Sequence, residues 1–448
     1  MHLTHLPQVL IWLIALASIV CMLVRPRGLP EAMWACGGAL LLIALRLIPL
    51  RQAGWAAYDG WDVYLFLAGM MILAELAREQ HVFEWVADLA AQHARGSSLR
   101  LFLLVYLVGI AVTALLSNDA TAVVLTPAVL AVVRRARVQP KPFLLACALI
   151  ANAASFVFPI SNPANLVVFD RHVPPLASWM KVFLLPSLAS IVVTYFCLRW
   201  WSRKALEVRI HHRQATIELA AGGRLALGGL LFAASVLIVS SALGLPLGLP
   251  TCISALLVMA LVSVKDRGVL RRAMAGVSWS VLPLVAGLFV IVEALQSAGL
   301  LRMGLAGLRL IGTLPEFAAK SVAAFSVALT SNGMNNLPVG LMSGSTIRHA
   351  HEAGIIAHAV LLGVDLGPNL SVTGSLATIL WLIALRRERV EFTAWEFFKV
   401  GIVFPQRGQQ MMPHAIARMC QIAVAGILAP VLCQRVQIRL NLCATRGQ

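Results

Sequence analysis

Charge is scarce in this chain. Only 12% of its 448 residues are Asp, Glu, Lys or Arg, and the acids are fewer than the bases, 19 against 36. Apolar residues make up 60% of the sequence, well above what a soluble globular domain carries, which excludes that class and reads as a polytopic membrane protein. The net charge of +17 would suit nucleic acid, but no basic face with interleaved aromatics exists, so nucleic acid is excluded as a partner. The Lys and Arg stand instead in short connectors, where they set orientation. The eight cysteines form no CxxC pair and read as small buried hydrophobes. The stretch HEAGIIAH at 351–358, with His349 before it, falls at an external connector and lacks the HExxH spacing that puts two histidines on one helical face, so no metal site is expected. No GxxxxGK[ST] loop occurs, so any ATP hydrolysis belongs to a separate protein. A paired nucleophile and base is missing as well, which argues against an enzyme. No cofactor is implied.

What the chain has in abundance is apolar runs of spanning length, about 20 residues. They fall near 8–24, 31–50, 61–77, 99–116, 120–133, 143–170 and 182–201, then near 225–245, 249–264, 278–297, 318–347 and 355–385. The first lacks the basic lead-in and cleavage site of a secretory signal and is read as a retained span. The organisation expected is a first membrane repeat over 1–201, a basic cytoplasmic linker over 202–224, a second membrane repeat over 225–404 and an atypical tail over 405–448. The distribution of Lys and Arg places the N-terminus outside and the linker inside.

Two runs are interrupted by polar residues at membrane depth. LLSNDATAVVLTPA at 115–128 breaks at Ser117, Asn118 and Asp119, and its flanks end in basic residues on both sides, from Arg100 to Arg134, Arg135, Arg137 and Lys141. That pattern predicts a re-entrant helical hairpin with the break at its tip. SNGMNNLP at 331–338 repeats the device with Asn332, Asn335 and Asn336. Two further spans are unwound, one by FPISNPAN at 158–165, the other by GVDLGPNLSVTG at 363–374. Irregular backbone survives inside a membrane only where it lines a cavity or is buried in protein. Paired interruptions in two halves point to a secondary transporter with its site near the midplane.

Subtraction reveals the repeat. Trp61 and Trp279, Gly69 and Gly287, Glu75 and Glu293, and Asn118 and Asn336 all differ by 218 in residue number, with AGMMILAEL matched to AGLFVIVEAL. An odd number of crossings separates the halves, so the fold class expected is an all-α polytopic membrane protein of two inverted repeats, each holding a re-entrant hairpin and an interrupted helix.

The candidate substrate-binding set is Ser117, Asn118, Ser161, Asn162, Asn165, Asn332, Asn335, Asn336, Asn369, Ser371 and Thr373. These amides and hydroxyls join the unpaired helix-terminal groups at the tips. No fixed positive charge lies in the four motifs, which favours a neutral or weakly charged solute over a di- or tricarboxylate. Asp119 and Asp365 are the candidate proton-coupling groups, since burial penalises a carboxylate's charge; capping a helix end or holding a structural cation is the alternative. Glu75 and Glu293 stand behind them, divided between a scaffold hydrogen bond and a proton relay.

LLSNDATAVVLTPAVLAV at 115–132, SNPANLVVF at 161–169, NGMNNLP at 332–338 and GVDLGPNLSVTGSLATILWL at 363–382 resemble the arsenical pump membrane protein family, arsenite and antimonite efflux carriers of the ion transporter superfamily. The resemblance runs from about residue 8 to 404. The hairpin motif is shared across that superfamily, with dicarboxylate carriers and sodium–proton antiporters, whereas the 363–382 string is more specific. What it implies is proton-coupled export of arsenite and antimonite across a bacterial inner membrane, in contact with lipid, with optional coupling to a soluble arsenite-stimulated ATPase. It also implies roles for Asn118, Asp119, Asn335, Asn336, Asp365 and Asn369 at the matching motifs. The alternative within the superfamily is a sodium–proton antiporter or an anion carrier. The tail departs from the family pattern: after Phe404 the chain turns to Pro405, Gln406 and Arg407 and keeps only a short apolar run, as a shifted reading frame would give.

Overall fold

The computed structural model describes residues 6–169, 173–210, 218–350 and 353–402. The expected tail at 405–448, and His351 and Glu352, lie outside the described residues. Among them the chain is helical throughout, with no named strand. The first half runs α1 (Leu6–Val24), α2 (Glu31–Ala44), α3 (Leu50–Asp59), α4 (Trp61–Glu79), α5 (Val82–His93) and α6 (Ser98–Leu115). It continues as α7 (Asn118–Ala120), a π-helical turn (Thr121–Leu125), α8 (Thr126–Arg135), α9 (Lys141–Ala153), a 3-10 turn (Pro159–Ser161), α10 (Pro163–Phe169), α11 (Leu176–Trp201) and α12 (Arg203–Leu206). The second half runs α13 (Ala221–Ala242), α14 (Gly248–Lys265), α15 (Val269–Gly276), α16 (Val281–Ser297), α17 (Leu300–Gly312), α18 (Glu316–Met334) and α19 (Asn336–Ala350). It closes with α20 (Ala353–Leu366), a 3-10 turn (Gly367–Leu370), α21 (Leu376–Arg387) and α22 (Ala394–Ile402).

Six segments, namely α1, α6, α11, α13, α14 and Val269–Ser297, which takes in α15 and α16, are long and apolar enough to cross a membrane, or seven if α3 and α4, bent by 47° at Gly60, are one span. Most of the others are short because prolines and polar residues stop them. Pro30, Pro49, Pro140, Pro175 and Pro315 immediately precede α2, α3, α9, α11 and α18. Each fixes its own φ and lacks the N–H that a helix start would leave unpaired. Pro49 is also why the run read as one span over 31–50 ends at Ala44 and gives way to the separate helix α3. The π-helical turn meets Pro127 two residues after its end. Thr126 Oγ1 donates to the Thr121 carbonyl at 3.1 Å, and Thr121 pairs with Thr113 of α6 at 2.8 Å, so side chains take up carbonyl groups that the irregular ladder frees.

The halves pack by exchanging equivalent helices. Helix α4 lies against α14, and α16, its counterpart 218 residues on, lies against α2. Gly69 and Gly287 sit at these two crossings: a Cβ on Gly69 would stand 2.8 Å from the backbone of Thr251, and one on Gly287 2.8 Å from the backbone of Ala35. Small residues let membrane helices approach to backbone contact, which gives the repeated glycine its physical reason. Buried indoles are satisfied across elements, Trp179 Nε1 by the Phe156 carbonyl at 3.0 Å and Trp381 Nε1 by that of Leu144 at 3.1 Å. The basic base of the first hairpin is tied down by ion pairs, Arg135 to Asp88 of α5 and Arg134 to Glu388 at 3.1 Å, with Lys141 to Glu396 at 2.7 Å beside them. Both ends of that hairpin therefore emerge on one face.

Replacing Gly69 or Gly287 by Val drives a side chain into a facing backbone that cannot rotate away, and overpacking of this kind costs about 1–3 kcal/mol. The expected outcome is a lowered thermal midpoint of the detergent-solubilised protein for both variants. Gly54→Val, where nothing lies within 4 Å, leaves it in place; equal midpoints for all three would refute the close crossing.

Candidate functional site

The two unwound spans meet each other. Asn162 Nδ2 donates to Asp365 Oδ1 at 2.5 Å, Asn152 Nδ2 to Asn369 Oδ1 at 3.0 Å, and Ser375 Oγ to Asn152 Oδ1 at 3.3 Å. Asn152 and Asp365 differ by 213 in residue number, as do Asn162 and Ser375. In each half a polar side chain ahead of the break is therefore bonded by a side chain beyond the break of the other half. The same spacing governs the local ties: Asn165 donates to the carbonyls of Ser155 (2.8 Å) and Pro159 (3.3 Å), and Thr378 Oγ1 to that of Val372 (2.8 Å). A helix opened at membrane depth leaves carbonyls unpaired, and these side chains supply the donors. Asp365 is fully buried, and its Oδ2 has no hydrogen-bond partner.

The hairpin tips are built differently. At the first, Ser117 caps α7 by accepting from the Ala120 N–H at 3.1 Å, and Asn118 Oδ1 accepts from the Asp119 N–H at 2.9 Å. Ser161 Oγ, from the unwound span, donates to the Ala114 carbonyl at the end of α6 at 3.0 Å. At the second tip only Asn335 leaves the helical path, at φ +75° and ψ 152°, outside the left-handed helical region and close to one that is otherwise almost confined to glycine. Its Oδ1 accepts from the Leu337 N–H at 3.2 Å, while the Asn336 N–H donates to the Gly374 carbonyl at 2.8 Å. Asn332 is the hub here: its amide donates to the Gly367 carbonyl at 2.9 Å, its Oδ1 accepts from Ser371 Oγ at 2.6 Å and its carbonyl accepts from Thr373 Oγ1 at 3.1 Å. Asn332, Ser371 and Thr373 thus lace the second tip to the unwound span of its own half.

A cleft at the first tip is lined by Ser117 and Asp119, with Pro163, Leu380, Glu75 and Ser278 around them. Its lining contains two carboxylates and no Lys or Arg. Glu75 is held by Arg78, whose Nε stands 3.0 Å from both carboxylate oxygens and whose Nη2 bonds Oε1. Arg78 also bonds Glu79, and Glu79 reaches Arg272 at 2.9 Å. Arg272 in turn hydrogen-bonds Asp266 in the connector before α15 and holds that carboxyl below the ordinary range.

Asn335 lines a different, smaller cleft, with Met22, Glu31 and Met334. A single cavity shared by both tips was the expectation; the first turns of α21 stand between them, Leu380 facing one cleft and Leu376 and Ile379 the other. Asn118 and Asn336 are buried and line neither of these two clefts. Of the predicted residues, the structure brings Ser117 and Asp119 together in the first cleft and puts Asn335 at the second. Asn162, Asp365 and Asn369 join in the crossing of the unwound spans, Ser161, Asn165, Asn332 and Thr373 hold backbone, and Ser371 bonds the Asn332 side chain. His358, read with an external connector, lies within α20 with its ring edge against Phe183. Sequence reasoning missed Asn152 and Ser375 as bonding residues and Arg78 as the partner of Glu75. The 213-residue spacing, applied to every polar residue near the breaks, would have found the first two.

The family profile described as "Citrate transporter" matches residues 10–364. An arsenical pump membrane protein of Escherichia coli is 27% identical over 403 residues, covering 87% of this chain and 94% of that protein. One from Yersinia enterocolitica is 26% identical over 401 residues, covering 86% and 93%. An uncharacterized transporter of Mycobacterium tuberculosis is 27% identical over 393 residues, covering 83% and 90%. Among solved structures, the YdaH transporter of Alcanivorax borkumensis, described as having an unusual topology, matches with a TM-score of 0.55 at 13% identity, covering 89% of this chain and 90% of that one. That likeness concerns the fold.

Asn162→Ala removes the amide donor from the buried Asp365 carboxyl, which costs about 1–3 kcal/mol. In a double-mutant cycle with Asp365→Asn, the thermal midpoints should be non-additive, because the two side chains share one contact. Additive losses would show that the contact contributes nothing.

Proposed function

Because this chain belongs to the Citrate transporter family and is a multi-pass membrane protein, we propose that it is a secondary carrier exporting arsenite, and antimonite, in exchange for protons across a bacterial inner membrane. The observation that carries the choice of substrate is the lining of the first cleft, which holds the Asp119 carboxyl and no Lys or Arg, the Glu75 carboxylate being paired with Arg78. A citrate trianion would meet like charge there, whereas arsenous acid is neutral near neutral pH and presents three hydroxyls to Ser117, Asp119 and the free groups of the hairpin tip. The arsenical pump membrane proteins that this chain resembles over most of its length point the same way. Thiolates would hold trivalent arsenic more firmly than a carrier that must release it can use.

Protons are assigned to Asp119 and Asp365, in unequal roles. Asp119 lies on the cleft, where a proton and the substrate compete for the same carboxyl; Asp365 is sealed at the crossing of the halves, bonded on one oxygen. The halves are read as inverted repeats, so the crossing is the pivot about which one access path closes as the other opens. Lacking a P-loop, the chain takes energy from ATP only through a separate arsenite-stimulated ATPase. The same two carboxylates in one cleft also suit a monovalent cation, which is the specific ground for the sodium–proton alternative.

Everted membrane vesicles energised by respiration decide between these readings. Arsenite should accumulate, and a protonophore should abolish the accumulation; sodium-dependent proton movement without arsenite uptake would favour the alternative. In Asp119→Asn, shape and hydrogen bonding persist but titration is removed, so downhill arsenite exchange should continue while accumulation against a gradient stops. Undiminished accumulation by that variant would remove Asp119 from the coupling step. Ser117→Ala and Asn335→Ala, at the tip residues that line the two clefts, should each cut transport strongly with the protein still inserted, each lost hydrogen bond weakening substrate binding by about 0.5–1.5 kcal/mol. Near-normal arsenite resistance in either strain would count against the tips.

A further inference from the structure

On the opposite face from the first cleft, the described residues form a second polar cleft of about 260 Å³, lined by Asp59, Glu293, Gln296, Ser345, Arg348 and His349. Its residues are the repeat counterparts of the first: Ala74 and Val292, Glu75 and Glu293, Val123 and Leu341, and Val281 and Val63 each differ by 218 in residue number. The two clefts differ in what they touch. The lining of the first includes the tip residues Ser117 and Asp119, whereas that of the second includes Val167 of α10 and Leu341 of α19 and neither Asn335 nor Asn336. There Gly344 lets α19 press on α10 so closely that a Cβ would collide with the Val168 backbone. The residue 218 earlier, Thr126, stands instead beside the π-helical turn.

The carboxylates at the two clefts differ in a second way. Glu75 is gripped by the guanidinium of Arg78 through both carboxylate oxygens. The position equivalent to Arg78 is Gln296, and Glu293 takes an uncharged partner, its Oε1 accepting from Gln52 Nε2 of α3 at 2.7 Å. Among the described residues Glu293 forms no ion pair. A guanidinium only donates, whereas an amide bonds a neutral carboxyl and a carboxylate alike by turning its other end. The titratable and charged groups that share the two clefts adjoining Glu293 are Arg51 and Asp59 from α3, and Arg348 and His349 from α19.

We infer that Glu293, held by Gln52 in the outer cleft, is the group that collects the proton from the external side, and that Glu75 at the inner cleft is a fixed charge with no part in proton exchange. Broken symmetry at one repeated glutamate thereby gives the carrier a direction: protons are gathered where the carboxyl titrates and the load is taken up where it does not. The inference rests on the proton-coupled reading above. It adds an entry point that the hairpin motifs do not contain.

The experiment uses everted vesicles whose lumen corresponds to the external face, loaded at a series of lumenal pH values, with the initial rate of arsenite accumulation measured at fixed bath pH. The wild type should speed up as the lumen is acidified. Glu293→Gln should lose that dependence and keep downhill arsenite exchange, Glu293→Asp should restore it, and Gln52→Arg, which copies the inner ion pair, should lose it like Glu293→Gln. A Glu293→Gln profile parallel to wild type overturns the inference, as does loss of downhill exchange together with the profile, which marks a structural role. A wild type indifferent to both lumenal pH and protonophore would instead overturn the proton-coupled function itself.

Discussion

A backbone inside a bilayer has no water to bond, so each place where this chain leaves the helical path must find its donors within the protein. The site is what that requirement builds. Opening α9 and α20 before their continuations frees carbonyls that Asn165 and Thr378 take up locally, while Asn152, Asn162, Asp365, Asn369 and Ser375 close the gap between the halves. Most of the polar residues that mark the motifs are therefore occupied in holding irregular backbone. That leaves a few, Ser117 and Asp119 foremost, facing a cleft.

Repetition explains the scaffold and departures from it distinguish the halves. Helices α4 and α16 cross their partners at equivalent glycines, and the hydrogen bonds across the unwound spans come in matched pairs. Yet Asp119 has Leu337 as its counterpart, Arg78 has Gln296, and Thr126 has Gly344. The first substitution puts a carboxyl at one tip only, the second gives one glutamate a guanidinium partner and the other an amide, and the third brings α19 into backbone contact with α10.

Read from the sequence, the membrane class and the positions of the polar breaks in both hairpin motifs and both unwound spans were legible, because each rests on a local rule. Long apolar runs must cross or be buried, and prolines and clustered Asn and Ser break helices. Less legible was which polar residue does what. Asn332 and Asn335 are three residues apart on one motif, but one bonds three groups of the adjoining span and the other faces a cleft.

By itself, then, the sequence determined that this is a helical membrane protein with polar breaks at corresponding places in two halves, since hydropathy and helix-breaking are properties of the chain within a few residues. Only the tertiary structure decided that α21 separates the two tips into different clefts, that Asn162 bonds Asp365 and that Glu75 and Glu293 have unlike partners. Most of those outcomes depend on pairings across some two hundred residues of chain. The remaining one, the grip of Arg78 on a glutamate three positions before it, turns on side-chain rotamers that packing against α15 selects.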